Sequence, residues 1–246
     1  MTDKTPDKTT ALVTGANKGI GYEVAAGLAR EGMTVLLGSR DRERGEDAAA
    51  RLRAAGGDVR TIVLDVTDPA TIEAAAAALT RLDVLVNNAG ISGPVGRPPG
   101  ATPPQDLRDV FETNIIGVLM VTNAMLPLLR RSSAARIVNV SSGVGSLAHH
   151  TDPDHYMSGL PPMATYPVSK TALNALTVQY AKELRKDGIL VNAAAPGACA
   201  TDLTKDLPYK ITRTAADGAA IIVRLATLGP DGPTGGFYDD EGTVPW

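Results

Sequence analysis

Cysteine, aromatic residues and net charge are all scarce in this sequence. The single cysteine among 246 residues excludes a disulfide framework and a zinc site built from clustered thiolates. Aromatic residues make up only 4% of the chain, so the interior is expected to consist of closely packed aliphatic side chains. Charges of both signs are interspersed and sum to a formal net charge of −3, which gives no electrostatic basis for binding nucleic acid or an anionic membrane.

Long apolar runs are also missing. No uninterrupted run approaches the roughly 18 residues that a membrane span needs, and the polar start of the chain does not resemble a secretory signal. These two absences predict a cytoplasmic protein. Residues 1–9 are expected to form a flexible tail because they contain few apolar side chains, and residues 10–246 a single domain because no linker or repeat divides them.

Short apolar strands alternate with helical segments along the rest of the chain. This alternation predicts parallel strands joined by right-handed crossovers, and so a single doubly wound parallel α/β sheet of about seven strands with helices on both faces. The predicted strands are Thr10–Val13, Met33–Leu37, Val59–Leu64, Leu82–Val86, Arg136–Val140 and Ile189–Ala194. The predicted helices begin with one that buries Ile20, Val24 and Leu28, and continue with Arg42–Ala55, Pro69–Thr80, Pro104–Arg131, Ala164–Lys186 and Arg213–Leu228. The stretch Pro104–Arg131 is predicted to be one long helix or a broken one.

Three glycines, Gly15, Gly19 and Gly21, are grouped in the turn after the first strand. Gly15 permits a tight turn, Gly19 lets a phosphate approach the backbone, and Gly21 lets helix and strand pack closely. The following helix would then direct its N-terminal amides and its dipole at a pyrophosphate. The glycine spacing by itself is equally compatible with a turn that binds nothing, and the strand before it and the helix after it favour the dinucleotide interpretation.

The second predicted strand runs into Gly38, Ser39 and Arg40. At the end of this strand an acidic residue would bind the 2′-hydroxyl of the adenosine ribose of NAD. Arg40 stands there instead, and a second cation, Lys18, lies in the glycine turn. Two cations suit a 2′-phosphate, so the sequence favours NADP(H) over NAD. The alternative is that Arg40 merely begins a solvated run of charged residues.

Tyr166 and Lys170 are spaced four residues apart, which places them on one face of a predicted helix. Proline avoids a preceding helical residue, so Pro167 predicts that Tyr166 lies at the very start of this helix. Together with the glycine turn and the sequence Asn-Asn-Ala-Gly at 87–90, this pair resembles the short-chain dehydrogenase/reductase family. The resemblance covers residues from about 10 to 246 and implies a Rossmann-type fold.

Two segments resemble one branch of that family more closely. Residues 17–21, with the sequence Asn-Lys-Gly-Ile-Gly, and residues 232–237, with the sequence Gly-Pro-Thr-Gly-Gly-Phe, are similar to the carbonyl reductases. The resemblance therefore implies an oxidoreductase that transfers hydride from NADPH to an aldehyde or ketone carbonyl and yields an alcohol, in a reversible reaction. Two alternatives stay open at this point. One is a ketoreductase that modifies a secondary metabolite, and the other is a catalytically silent NADP-binding interaction protein.

The family motifs imply four catalytic residues, Asn114, Ser142, Tyr166 and Lys170. Tyr166 would donate a proton to the carbonyl oxygen, Ser142 would hydrogen-bond that oxygen, and Asn114 would order a water chain to Lys170. Lys170 would bind the nicotinamide ribose. An ammonium about 4 Å from the phenol, at an effective dielectric of about 20, would favour the phenolate by roughly 4 kcal/mol. This would bring the pKa of Tyr166 near neutrality, although desolvation would reverse part of the shift.

The same motifs imply where the cofactor lies. Asp65 and Val66 would contact the adenine, the 88–90 turn would line the adenosine ribose, and a loop at 196–201 would hold the nicotinamide carboxamide. The expected NADP(H)-binding residues are Gly15, Asn17, Lys18, Gly19, Ile20, Gly21, Arg40, Asp65, Val66, Asn88, Ala89, Gly90, Tyr166, Lys170, Pro196, Gly197 and Thr201.

The segment at about 148–163 lengthens the interval between Ser142 and Tyr166 relative to most members of the family. It is expected to overhang the substrate side as an insertion. All three histidines lie in it, but their spacing matches no metal-ligand pattern, so no metal site is expected. The resemblance also implies a small-molecule substrate and pairing through the long helices at 104–131 and 164–186 into a homodimer or homotetramer.

Overall fold

The computed structural model describes residues 8–207 and 210–246. The predicted flexible tail therefore lies outside the described residues except at its last two positions. Lys8 forms an ion pair with Asp58, with 3.6 Å between ammonium and carboxylate, and the Thr9 carbonyl accepts a hydrogen bond of 2.9 Å from the Thr34 amide. Both contacts tie the chain to the sheet before the first strand begins.

Within the described residues, seven strands are interspersed with eight helices. The strands are β1 (Thr10–Val13), β2 (Thr34–Ser39), β3 (Asp58–Val63), β4 (Val84–Asn87), β5 (Arg136–Val140), β6 (Leu190–Ala194) and β7 (Phe237–Tyr238). The helices are α1 (Gly19–Arg30), α2 (Arg42–Ala54), α3 (Pro69–Ala77), α4 (Pro104–Phe111), α5 (Gly117–Leu129), α6 (Leu147–Thr151), α7 (Tyr166–Leu184) and α8 (Ala215–Ala226).

The sheet has the order β3-β2-β1-β4-β5-β6-β7, and all its strands are parallel. The predicted doubly wound Rossmann-type fold is therefore confirmed. Each of the six predicted strands is present, with ends shifted by at most two residues. The two-residue strand β7 lies at the edge and follows a glycine-rich turn. The strand order reverses between β1 and β4, and the crevice at the carboxyl ends of these two strands is where such sheets bind ligands.

Aliphatic side chains fill the space on both faces of the sheet, as the shortage of aromatic residues predicts. On one face, helices α1 and α8 cover the sheet and bury Val24, Leu28 and Ile222 completely. A Cβ on Gly27 of α1 would lie 2.6 Å from Val223 of α8, so a glycine is required where these two helices meet. On the other face, α3, α5 and α7 cover a second apolar cluster that includes Met125. This packing holds the strand ends in fixed positions.

The predicted helix at 104–131 is divided into α4, a π-helical turn at Glu112–Ile116, and α5. The π turn buries Asn114 completely, and π turns inside α-helices frequently mark functional sites. Within the described part of the chain, Pro104–Leu129 is the one helix whose length and mean hydropathy, 1.4, would allow it to cross a membrane. Half of that apolar window is buried inside the molecule, as in core helices that pass the same test, so this is weak support for a membrane span.

Candidate active site

The glycine turn lies between β1 and α1, at the point where the strand order reverses. Gly15 and Gly19 have φ angles of +62° and +59°, which favour glycine because side chains with a Cβ rarely adopt them. A Cβ on Gly21 would lie 2.4 Å from the side-chain nitrogen of Asn88 and 2.8 Å from the Gly15 carbonyl oxygen. No side chain caps α1 at Lys18, which leaves its first amides available to a ligand. These features fit the pyrophosphate of a dinucleotide.

Thr14 fastens the glycine turn to the segment after β4. Its hydroxyl oxygen accepts hydrogen bonds from the Asn88 amide at 2.9 Å and from the Ala89 amide at 3.0 Å. The Asn88 side chain in turn donates to the carbonyls of Thr14 and Gly15, at 2.8 and 3.2 Å. The structure therefore brings the predicted adenosine-side residues Asn88 and Ala89 directly against Gly15.

The two predicted phosphate-binding cations lie at neighbouring strand ends. The Ala16 amide donates to the Gly38 carbonyl at 2.8 Å, which joins the glycine turn to the end of β2. Arg40 follows β2 and is exposed. The Lys18 ammonium is bound to the Asp202 carboxylate at 2.5 Å, and both side chains are largely exposed. The structure thus gives Lys18 an internal partner that the sequence did not predict.

The predicted adenine-side residues follow β3. The Asp65 carboxylate accepts hydrogen bonds from the Thr67 amide at 2.9 Å and from the Thr67 hydroxyl at 2.7 Å. Val66 is buried beneath the first turn of α5, where a Cβ on Gly117 would lie 2.8 Å from the Val66 carbonyl oxygen. Asp65 is therefore held in a fixed orientation at the edge of the crevice, and Val66 is packed into its floor.

Tyr166 is the first residue of α7, and Pro167 occupies the first helical turn, as predicted. Lys170 lies one turn later and is almost completely buried. Its ammonium donates to the Val140 carbonyl at 2.7 Å and lies 5.4 Å from the centre of the Tyr166 ring. A Cβ on Gly90 would lie 3.7 Å from that ammonium, so the 88–90 turn reaches the lysine. Tyr166 and Lys170 therefore lie on one face of α7, and the Lys170 ammonium lies beside the 88–90 turn.

The predicted lowering of the Tyr166 pKa by Lys170 is not what the structure shows. Burial raises the pKa of the Tyr166 phenol to about 12, and a hydrogen-bonding contact with Ser142 acts in the opposite direction. Burial also lowers the pKa of Lys170 to about 8. The physical reason is that desolvation penalises the charged form of both groups, while the ammonium is directed at the Val140 carbonyl. The phenol is therefore protonated at neutral pH.

Asn114 joins three segments around Lys170. Its side-chain oxygen accepts a hydrogen bond from the Ile91 amide at 2.9 Å, and its nitrogen donates to the Ile91 carbonyl at 2.9 Å and to the Ser169 hydroxyl at 3.0 Å. A Cβ on Gly90 would lie 3.2 Å from the Asn114 oxygen. The side chain predicted to order water is thus engaged in protein contacts that hold the 88–91 segment against α7.

The predicted carboxamide loop lies across the glycine turn. The Arg213 guanidinium donates to the Pro196 carbonyl at 2.8 Å and packs beside Gly197. A Cβ on Gly19 would meet the Thr201 methyl group at 3.5 Å, so this loop reaches the start of α1. The structure therefore brings all the predicted cofactor-binding segments to one edge of the sheet.

A family model described as short chain dehydrogenase matches residues 9–211. The chain belongs to the short-chain dehydrogenase family. This short-chain dehydrogenase is 38% identical to the short-chain dehydrogenase anuI of Penicillium roqueforti, over 96% of each chain. It is 34% identical to the NADPH carbonyl reductase 1 of Rattus norvegicus, over 98% of this chain and 99% of the rat protein. These matches confirm the family predicted from the motifs.

Solved structures of short-chain dehydrogenases have the same fold. The NADPH-bound carbonyl reductase from chicken fatty liver superposes with a TM-score of 0.83 and is 31% identical to this chain. That comparison covers 97% of this chain and 99% of the chicken protein. The likeness to the carbonyl reductases therefore extends over the whole fold.

The segment at 148–163 of this short-chain dehydrogenase is tied to the chain's last residues. The Ser146 hydroxyl donates to the Pro245 carbonyl at 2.6 Å, and the Ala148 amide donates to the Trp246 carbonyl at 3.0 Å. Within the segment, the His149 and His155 rings stack with 3.9 Å between their centres. The sequence predicted a loop here, and the structure shows a short helix, α6, and a 3₁₀ turn at Tyr156–Gly159.

Three residues that hold the segments of the site together, Thr14, Asp202 and Arg213, were not predicted from the sequence. Thr14 carries a weak signal, because it is a polar residue at the end of an apolar strand and just before a glycine. Asp202 and Arg213 carry none, because their partners, Lys18 and the Pro196 carbonyl, are determined by how distant loops fold together.

Proposed function

We propose that the protein is an NADPH-dependent reductase that converts an aldehyde or ketone to an alcohol. The observation that carries this proposal is the grouping of Ser142, Tyr166 and Lys170 at the carboxyl end of β5, next to the 88–90 turn. The family and the NADPH named for two of its carbonyl-reducing relatives give further support. The reverse oxidation uses the same groups.

The crevice fits a dinucleotide because it has bare backbone where phosphates bind. Gly15 and Gly19 give the turn its positive φ angles, Gly21 lets α1 pack directly against Asn88, and no side chain caps the start of α1, so its first amides would be available to phosphates. Lys18 and Arg40 would hold the 2′-phosphate, and Lys170 would hold the nicotinamide ribose. When bound there, NADPH supplies the hydride.

The protein's own groups would handle the proton and the developing negative charge. The Ser142 hydroxyl would donate a hydrogen bond to the carbonyl oxygen and stabilise the alkoxide as it forms. The Tyr166 phenol, protonated at neutral pH because burial raises its pKa to about 12, would then give its proton to that oxygen. The charged Lys170 ammonium beside the ring would stabilise the phenolate that remains.

The experiment that tests this function follows the absorbance of NADPH in the presence of a panel of aldehydes and ketones. Turnover of at least one carbonyl compound, with an alcohol as product, is expected. Binding of NADPH without oxidation across the panel would instead support a catalytically silent binding protein. Selective turnover of large polycyclic ketones would favour the secondary-metabolite ketoreductase.

The second-order rate constant for NADPH, kcat/KM, is expected to fall above pH about 8. This constant reports groups that titrate in the free enzyme, and burial lowers the pKa of Lys170 to about 8. Below that pH the ammonium is charged and can donate to the ribose hydroxyls and stabilise the phenolate. Above it the charge is lost. Initial rates at low NADPH across this range measure the effect, and a rate constant that stays level up to pH about 10 would contradict it.

Replacing Met157 with alanine is expected to raise the KM for the carbonyl substrate while leaving the KM for NADPH unchanged. Met157 is buried, and a Cβ on Gly143, the residue after Ser142, would lie 2.5 Å from its terminal methyl group. Its removal opens the wall beside Ser142, so we expect an increase of about fivefold or more. Leu160→Ala, in the same segment, is the matched control. Parallel changes in both KM values would show that the segment does not line the substrate side.

A further inference from the structure

The turn that carries Ser142 is held on α7 by buried hydrogen bonds. The Ser141 hydroxyl donates to the side-chain oxygen of Asn174 at 2.6 Å. The Asn174 side-chain nitrogen donates to the Gly145 carbonyl at 3.2 Å, and the Thr171 hydroxyl donates to the same carbonyl at 3.1 Å. One amide group therefore bridges the residue before Ser142 and the residue three positions after it.

The backbone of this turn also lies directly on the helix. A Cβ on Gly145 would lie 2.9 Å from the carbonyl carbon of Lys170 and 3.0 Å from the Asn174 side-chain nitrogen. No side chain fits between the two segments. The distance between the Ser142 turn and α7 is thus fixed by backbone contact, and the Asn174 amide holds the two surfaces together.

Asn174 shares a helix face with the reacting groups. It lies four residues after Lys170 and eight after Tyr166, and such spacing places side chains above one another on a helix. Only 3% of its surface is exposed. A single rigid helix therefore carries the proton donor, the lysine and the clamp that orients the turn with Ser142.

A second buried polar contact lies one helical turn further from the site. The Asn139 side-chain nitrogen donates to the hydroxyl of Thr177 at 2.9 Å, and Thr177 is fully buried. This contact joins β5 to α7, as Asn174 joins the Ser142 turn to α7, but it touches no residue of the turn. It provides a matched control for the loss of a buried hydrogen bond.

We propose that Asn174 is a positioning residue for carbonyl reduction, because it fixes the Ser142 hydroxyl relative to the Tyr166 phenol through Ser141 and Gly145. The inference rests on the proposed reductase activity. Without the amide, the turn loses the two hydrogen bonds that Asn174 makes to Ser141 and Gly145 and keeps the one from Thr171, so Ser142 is held less precisely relative to Tyr166. The phosphate side of the cofactor site does not depend on this contact, since the glycine turn and the Thr14 contacts lie on other segments, and Lys170 keeps its place on α7 and its bond to the Val140 carbonyl.

The test compares Asn174→Ala with Thr177→Val in the full-length protein. Asn174→Ala is expected to lower kcat by about 10- to 100-fold, because misplacement of a catalytic group by about 1 Å costs up to about 10²-fold. The Kd of NADPH, measured by fluorescence titration without a carbonyl substrate, should change less than about threefold. Thr177→Val should lower the melting temperature by a similar amount and keep kcat within about twofold of the unmodified protein.

A second variant keeps the inference testable if Asn174→Ala fails to fold. Ser141→Ala removes one end of the same bridge, so it should lower kcat in the same direction, and the double variant should lose less than the product of the two single losses. Equal kcat losses in Asn174→Ala and Thr177→Val, or a loss of NADPH affinity that matches the loss of kcat, would overturn the inference. If the unmodified protein binds NADPH but reduces no carbonyl compound, the proposed function fails instead.

Discussion

Replacing Tyr166 with phenylalanine is expected to lower kcat for carbonyl reduction by about 10²- to 10⁴-fold, the contribution of a positioned general acid. The substitution removes only the hydroxyl that would give its proton to the substrate oxygen. The ring stays, and with it the position of the Lys170 ammonium 5.4 Å from the ring centre. NADPH binding should therefore remain nearly intact, which separates the loss of proton transfer from a loss of cofactor.

Two further variants test whether the loss of kcat is specific to the Tyr166 hydroxyl. Tyr180→Phe is the matched control, because Tyr180 lies on the same helix, burial raises its pKa to about 12 as well, and its hydroxyl donates to Asn123 away from the site. It should reduce carbonyl compounds at close to the normal rate. Lys170→Ala should damage both kcat and NADPH binding, since it removes the proposed contact with the nicotinamide ribose and the charge beside the phenol. A Tyr166→Phe variant with near-normal reduction rates would contradict the assignment of Tyr166 as the proton donor.

The sheet could be predicted because its signals are local. Each buried strand is a short apolar run, and each helix after it has an apolar face, so alternation alone predicted parallel pairing. The edge strand β7 was missed because two residues are too few to form a pattern. The π turn at Glu112–Ile116 was missed for a different reason, since its sequence differs little from that of the α-helices around it.

The positions of the candidate site residues could be predicted where a fixed spacing along the chain sets them. Tyr166 and Lys170 lie one helical turn apart, and the glycines lie in one turn, so nearby sequence positions them. The bridge from Asn174 to Ser141 joins residues 33 positions apart, and the ion pair of Lys18 with Asp202 joins residues 184 positions apart. Such contacts depend on the packed structure, and no spacing along the chain indicates them.

The pKa values of Tyr166 and Lys170 also depend on the packed structure and could not be predicted from spacing along the chain. The sequence predicted a lowered Tyr166 pKa, because it places a lysine near the phenol and Coulomb attraction was expected to outweigh desolvation. Burial decides the outcome in the structure, since it raises the pKa of Tyr166 and lowers that of Lys170. Desolvation depends on how much protein surrounds a group, and this quantity is set by the whole fold.

The preference for NADPH over NADH is also expected to be large. Arg40 lies at the end of β2, and Lys18 lies in the adjoining glycine turn, which the bond from Ala16 to Gly38 holds against that strand end. A 2′-phosphate there would meet both cations, and Arg40 could add paired hydrogen bonds. If each charged contact contributes roughly 1.5–3 kcal/mol, NADPH should be preferred over NADH by about two orders of magnitude or more.

The ion pair of Lys18 with Asp202 does not remove this preference. Both side chains are more than half exposed, and exposed ion pairs contribute only about 0–1 kcal/mol. A 2′-phosphate carries more charge than a carboxylate and brings the second contact to Arg40. The Lys18 ammonium can therefore exchange its partner at little cost when the cofactor binds.

Arg40→Asp is expected to abolish most of the preference, because it removes one cation and places a like charge beside the phosphate. The value of kcat/KM for NADPH should fall by about 100-fold or more, while that for NADH should hold or rise. Both constants are measured with one reducible carbonyl compound. Arg44→Asp makes the same change of charge within the same run of residues, where Arg44 is an exposed ion-pair partner of Asp41, and it should leave the ratio nearly unchanged. Equal values of kcat/KM for the two cofactors in the unmodified protein, or an equal effect of both substitutions, would show that Arg40 is only part of a solvated charged surface.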